Sequence, residues 1–171
     1  MFINVLEYEF TSEARDFLKE IKGPIGVITM AGLFRTGKSF FLNRVLLKQK
    51  SGFGVGSTIK ACTRGIWIYS GILKGSYNGQ ELSVLVADTE GLCSTEADEN
   101  HDVGIFTLAL LTCSHMIYNS KSTIDASAIK QLHMSARLAG ELKGKNGEYL
   151  EDEDYEKLFP FFTWVVRDFQ L

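Results

Sequence analysis

Val27-Ile28-Thr29-Met30-Ala31-Gly32-Leu33-Phe34-Arg35-Thr36-Gly37-Lys38-Ser39 passes from a short apolar run into a loop that opens and closes on glycine and ends in Lys-Ser. Residues 27–31, bounded by Gly26 and Gly32, read as a buried strand, and the apolar positions Phe41, Leu42, Val45 and Leu46 recur at helical spacing just beyond. Gly32 to Ser39 fits G-x-x-x-x-G-K-[ST] between strand and helix, the context in which that pattern makes a phosphate-binding loop. Glycines let backbone N–H groups turn inward around phosphate oxygens, and the helix N-terminus adds partial positive charge. Lys38 then reaches the β and γ phosphates and Ser39 ligates Mg2+. The nucleotide-binding residues expected here are Gly32, Leu33, Phe34, Arg35, Thr36, Gly37, Lys38, Ser39 and Phe40.

Further along, the chain alternates strands with helices. After the Gly/Ser-rich residues 51–57, the runs 66–69 and 82–87 read as strands that pair antiparallel, with the hairpin dipeptide Asn78-Gly79 between them. A helix is expected over about 103–111, a buried strand over 116–118, and an amphipathic helix through Ile129, Leu132, Ala136 and Ala139. The polar stretch 143–157, with its acidic run 151–154, reads as a solvated loop, and 161–166 as a last strand. This order predicts an α/β fold of the P-loop NTPase (G-domain) kind, with a mostly parallel sheet, one antiparallel hairpin strand and helices on both faces.

Three more places carry candidate chemistry. Asp88 ends the apolar strand Val84-Leu85-Val86-Ala87, about fifty residues after the loop, where a carboxylate partner for Mg2+ belongs. In the following Thr89-Glu90-Gly91, the Gly91 N–H can approach a γ-phosphate and Glu90 can orient an attacking water. Thr63 lies in a polar loop able to fold over the phosphate and lend a hydroxyl to the metal. Arg35, inside the phosphate loop, is placed to act as an arginine finger in cis, the alternative being a solvated loop residue. His101, His115 and His133 stand singly and receive no role.

Composition sets outer bounds. A chain of 171 residues that is 45% hydrophobic can bury one core, so a single domain is expected. A net charge of −3 argues against nucleic acid or an anionic membrane as a general partner. Cys62, Cys93 and Cys113 show no metal-ligand spacing and read as reduced thiols in a cytoplasmic protein. No signal peptide, lipidation box or apolar run of membrane-spanning length is legible, so no direct membrane anchor is expected.

In this order, the phosphate loop, Val55-Gly56-Ser57-Thr58 with Thr63-Arg64-Gly65-Ile66-Trp67, Asp88-Thr89-Glu90-Gly91-Leu92 and Trp164-Val165-Val166-Arg167-Asp168-Phe169 resemble the GTPase domain of the guanylate-binding protein family, large GTPases of the dynamin superfamily. Tyr118-Asn119-Ser120 and Phe159-Pro160 add weaker likeness, and the whole runs from about residue 23 to 171. The resemblance implies a GTPase with catalytic Arg35, Lys38, Thr63 and Glu90, metal ligands Ser39, Thr63 and Asp88, and a guanine reader at Arg167-Asp168 in place of N-K-x-D. An Asp carboxylate accepts from the N1–H and N2–H edge of guanine, a donor pair that adenine lacks, so GTP is expected over ATP. It also implies activation by dimerisation, as a homodimer or with related GTPases. Ala61-Cys62 departs from the Ser-His that vertebrate members place before the switch threonine, which removes a serine proton relay. Ending three residues after Asp168, residues 1–171 read as the N-terminal part of such a domain, a truncated member or a fragment. The alternative functions are a nucleotide-binding interaction module with little turnover and a P-loop ATPase.

Overall fold

The computed structural model describes residues 9–55, 65–92, 99–124, 126, 129–130, 132–134, 137 and 159–169. Strand β1 (Ile25–Ala31) is central because its alternate side chains are apolar on both faces, and it pairs in parallel with a strand on either side. On one side lies β4 (Gln80–Thr89), with Val27 opposite Leu85; on the other lies β5 (His115–Lys121), with Thr29 opposite Met116. Beyond β5, β6 (Phe161–Arg167) is again parallel, Tyr118 facing Trp164. Among the described residues β6 pairs with β5 alone.

The antiparallel edge is built from two segments laid along β4. β2 (Ile66–Ile68) pairs with Ala87, Asp88 and Thr89, as the sequence leads one to expect. The hairpin strand itself is β3 (Leu73–Tyr77), against residues 80–84. Asn78 (φ 50°) and Gly79 (φ 79°) turn the chain between β3 and β4, two successive left-handed residues as a tight hairpin requires. Leu-Lys-Gly-Ser-Tyr is a poor strand by propensity, and its ladder to β4 decides its conformation.

Neighbouring residues of the strands feed opposite layers. Met30, Val86 and Ile117 pack with Leu42, Leu47 and Phe53, while Ala31, Met116 and Tyr118 pack with Leu92, Phe106, Ala109 and Leu110. Helices therefore cover both faces, α2 (Lys38–Phe41) on the first and α3 (Glu99–Thr112) on the second. Phe106, Tyr118 and Trp164 meet edge to face, with centroids 6.0 and 5.0 Å apart. An N-terminal helix, α1 (Ser12–Glu20), is capped by Thr11, whose Oγ1 accepts from Ala14 N at 3.2 Å. The sequence reading placed no element there.

After α2 the chain widens into a π-helical turn, Leu42–Leu46, in which Leu47 N donates to Leu42 O at 2.9 Å. The extra residue per turn explains why Val45 is exposed although its spacing predicts a core position. Buried Asn43 closes the segment: Nδ2 donates to Phe53 O at 2.9 Å and Oδ1 accepts from Phe53 N at 2.8 Å. Helical residues 126, 129–130, 132–134 and 137 lie where an amphipathic helix is expected, with Leu132 on the α3 layer; Ala136 and Ala139 lie outside the described residues.

Candidate functional site

Residues 32–37 link the C-terminal end of β1 to the start of α2, between the ends of β4 and β5, where parallel α/β sheets present ligand sites. The loop is held by its neighbours. Leu33 bridges to Leu92, Phe34 N donates to Leu92 O at 2.8 Å, and Leu92 N donates to Gly32 O at 3.2 Å. Gly91 packs so tightly against the Phe34 backbone that a Cβ there has no room. Inside the loop, Leu33 O accepts from Thr36 Oγ1 at 2.9 Å and from Lys38 Nζ at 3.3 Å. Gly37 (φ 79°) caps α2 in the left-handed region, a conformation glycine adopts without strain.

Lys38 is the electrostatic centre of this region. Only 6% exposed, it makes one hydrogen bond and no ion pair among the described residues. Burial lowers its pKa from 10.5 to about 8, against the raising effect of the carboxylates of Asp88 and Glu90. The next residue, Ser39, donates its Oγ to Asp88 Oδ2 at 2.5 Å. Asp88 is fully buried at the end of β4, opposite Met30 of β1 and Trp67 of β2. One hydroxyl and one carboxylate thus converge beside the loop, hard oxygen donors of the type Mg2+ takes.

Glu90 follows two residues later and is held from two sides. Its Oε2 accepts from Gly65 N at 2.7 Å, its own N donates to Gly65 O at 2.9 Å, and its Oε1 contacts His101 Nε2 from the first turn of α3. His101, which sequence spacing left without a role, therefore meets the carboxylate expected to orient water. Arg35 is exposed, has φ 59°, and makes no hydrogen bond or ion pair with the described residues. Phe40 is exposed too, its ring beneath the Arg44 guanidinium at 5.6 Å. Thr63 lies outside the described residues.

At the far side, β6 delivers Arg167 to the loop: a Cβ added to Gly37 would stand 2.8 Å from Arg167 Nη2. Fully buried Asn119, two residues before the end of β5, joins the two by donating Nδ2 to Thr36 O at 3.0 Å and accepting Arg167 Nε on Oδ1 at 3.1 Å. Sequence reasoning quoted this residue only as weak likeness within Tyr118-Asn119-Ser120 and gave it no role; its one signal is a polar side chain directly after the buried apolar run Met116-Ile117-Tyr118. Asp168, exposed at φ 54°, sits 3.7 Å from Lys121 Nζ.

The family description "Guanylate-binding protein, N-terminal domain" matches residues 6–171, reaching further toward the N-terminus than the motifs alone suggest. The chain is 38% identical over 170 residues to "Guanylate-binding protein 7" of Mus musculus, covering 96% of this chain and 26% of that protein. It is 38% identical over 164 residues to "Guanylate-binding protein 2" of Homo sapiens, covering 93% and 27% respectively. "Guanylate-binding protein 1" of Mus musculus is 40% identical over 164 residues, again 93% and 27%. The chain thus spans about a quarter of the length of the curated relatives it matches.

Proposed function

The chain belongs to the guanylate-binding protein family, and from that premise we propose that it binds GTP and hydrolyses it to GDP and phosphate. Membership implies GTP binding and hydrolysis at the level of the family. For this chain the observation that carries the reading is Lys38, a buried ammonium at a helix N-terminus whose one hydrogen-bond partner among the described residues is a carbonyl. Such a group is anion-hungry, and a triphosphate supplies the missing charge.

In this mechanism the backbone N–H groups of residues 32–39 and Lys38 hold the β and γ phosphates. Ser39 and Asp88, with Thr63, would hold Mg2+, which when bound neutralises phosphate charge. Glu90 orients water, and the Gly91 N–H faces the γ-phosphate. The water oxygen attacks the γ-phosphorus, the bond to the β–γ bridging oxygen breaks with its electron pair leaving on GDP, and the water's proton passes to phosphate. Arg35 and Lys38 stabilise the charge of the transition state. Asp168, preceded by Arg167, reads guanine. Residues 1–171 then act as the N-terminal part of a GTPase domain, and association with a second copy or a related GTPase completes the order of its loops. Exposed Arg35 supports that reading, since it has freedom to swing onto phosphate. The cytoplasm is the compartment this reading assigns; among the described residues no helix is long and apolar enough to cross a membrane.

Arg35→Ala tests the scheme through GTP turnover and affinity measured side by side. Spared affinity with a turnover loss of up to about 10³-fold is expected of a finger. Equal loss of affinity and turnover would mean that Arg35 merely grips phosphate.

A further inference from the structure

Resting on the guanine reader and phosphate loop just assigned, we propose that Asn119 is a positioning residue that couples the two ends of the nucleotide site. Its amide is fully buried and both of its ends are used, the Nδ2 donor on Thr36 O in the loop and the Oδ1 acceptor on Arg167 Nε beside the base reader. Rotating the amide by half a turn would set oxygen against the Thr36 carbonyl and N–H against Arg167 N–H, so the two partners fix one orientation. The bond to Thr36 O is buried, so breaking it leaves that carbonyl unsatisfied, whereas the part-buried bond from Arg167 chiefly sets the direction of the guanidinium.

Backbone shape points the same way. The Asn119 carbonyl occupies the space that a Cβ on Gly32 would need, and the Arg167 guanidinium occupies the space beside Gly37. The two glycines that bound the phosphate loop are thus both fitted around the Asn119–Arg167 pair. On the other side, Arg167 O accepts from Ser122 N at 2.7 Å, and the chain then turns at Asp168 with φ 54°. Arg167 is therefore fixed through its side chain by Asn119 and through its carbonyl by the segment after β5. The carboxylate one residue later inherits its position from that clamp. A reader must be held within a fraction of an ångström to discriminate, so moving Arg167 weakens base selection, and moving Thr36 weakens phosphate binding.

The test uses the whole chain with Asn119→Asp, Asn119→Ala and Asp168→Ala, and measures affinities for GTP, ATP and inorganic triphosphate beside unfolding midpoints. Asn119→Asp keeps the acceptor for Arg167 and sets an oxygen against Thr36 O. It is expected to weaken all three ligands by about tenfold while preserving the GTP-to-ATP ratio. Asn119→Ala removes both bonds and should also lower that ratio by about tenfold. Should Asn119→Ala fail to fold, Arg167→Lys takes its place by removing the Nε–H that Asn119 Oδ1 accepts while keeping the charge: a lowered GTP-to-ATP ratio together with weaker inorganic triphosphate supports the coupling, and a change confined to the ratio, or unchanged triphosphate affinity in Asn119→Asp, overturns it. Variants that melt earlier yet keep every affinity and the ratio would reduce Asn119 to a structural residue and overturn the proposal. Asp168→Ala separates the layers. An unchanged ratio there overturns the guanine-reader assignment itself, whereas a lost ratio there with a retained ratio in Asn119→Ala overturns the coupling alone.

Discussion

Replacing Lys38 with methionine should stabilise the chain while removing its hold on triphosphate. The lysine is 6% exposed, and burial lowers its pKa from 10.5 to about 8 despite the opposing pull of Asp88 and Glu90. That depression corresponds to a cost of about 3 kcal/mol for keeping the charged form folded. Below about pH 8 the folded and unfolded chains both hold the proton, and the cost is present in full. Between about pH 8 and 10.5 the folded chain has released the proton and the unfolded chain has not, so stability rises with pH across that window. Methionine keeps the apolar stem without the charge and loses only the 3.3 Å hydrogen bond to Leu33 O, worth about 1 kcal/mol. Lys38→Met should therefore be more stable by about 2 kcal/mol at neutral pH, the gap closing to near zero by about pH 10. Urea unfolding of both chains at the two pH values reads this difference, since other titrating groups cancel between them. A variant no more stable than the parent at neutral pH, or a gap indifferent to pH, would refute the reasoning.

Two further substitutions probe separate parts of the structure. Asn43→Ala strands the N–H and C=O of Phe53 beside the Leu42–Leu47 cluster and should cost about 2–4 kcal/mol in denaturant unfolding, whereas a loss within experimental scatter would mean water replaces both bonds. His101→Ala removes the Oε1 partner of Glu90 and leaves the Gly65 N–H on Oε2, so GTP turnover should fall by about tenfold with affinity retained. Unchanged turnover would show that the histidine contact does not serve catalysis.

What could be read without coordinates followed physical strength of signal. β1, the end of β4 and β6 are continuous apolar or β-branched runs, and the Lys-Ser loop between a strand and a helix is a local pattern. β3 escaped notice because Lys74, Gly75 and Ser76 take strand form only through their pairing with β4. The exposure of Val45 escaped because a π-helical turn shifts the 3.6-residue period that sequence reading assumes. Asn119 and His101 become meaningful only when the fold sets β5 beside the loop and the first turn of α3 beside Glu90. Arg167 was singled out with its neighbour Asp168, yet its packing against Gly37 depends on the register of β6 with β5.

The decisive measurement is a titration of the purified chain with GTP and ATP analogues in Mg2+, followed by product analysis over a range of protein concentrations. Selective binding of the guanine nucleotide, with hydrolysis per molecule rising as the chain is concentrated, is the predicted result. Equal affinity for ATP, or no triphosphate binding by a folded chain, would contradict it.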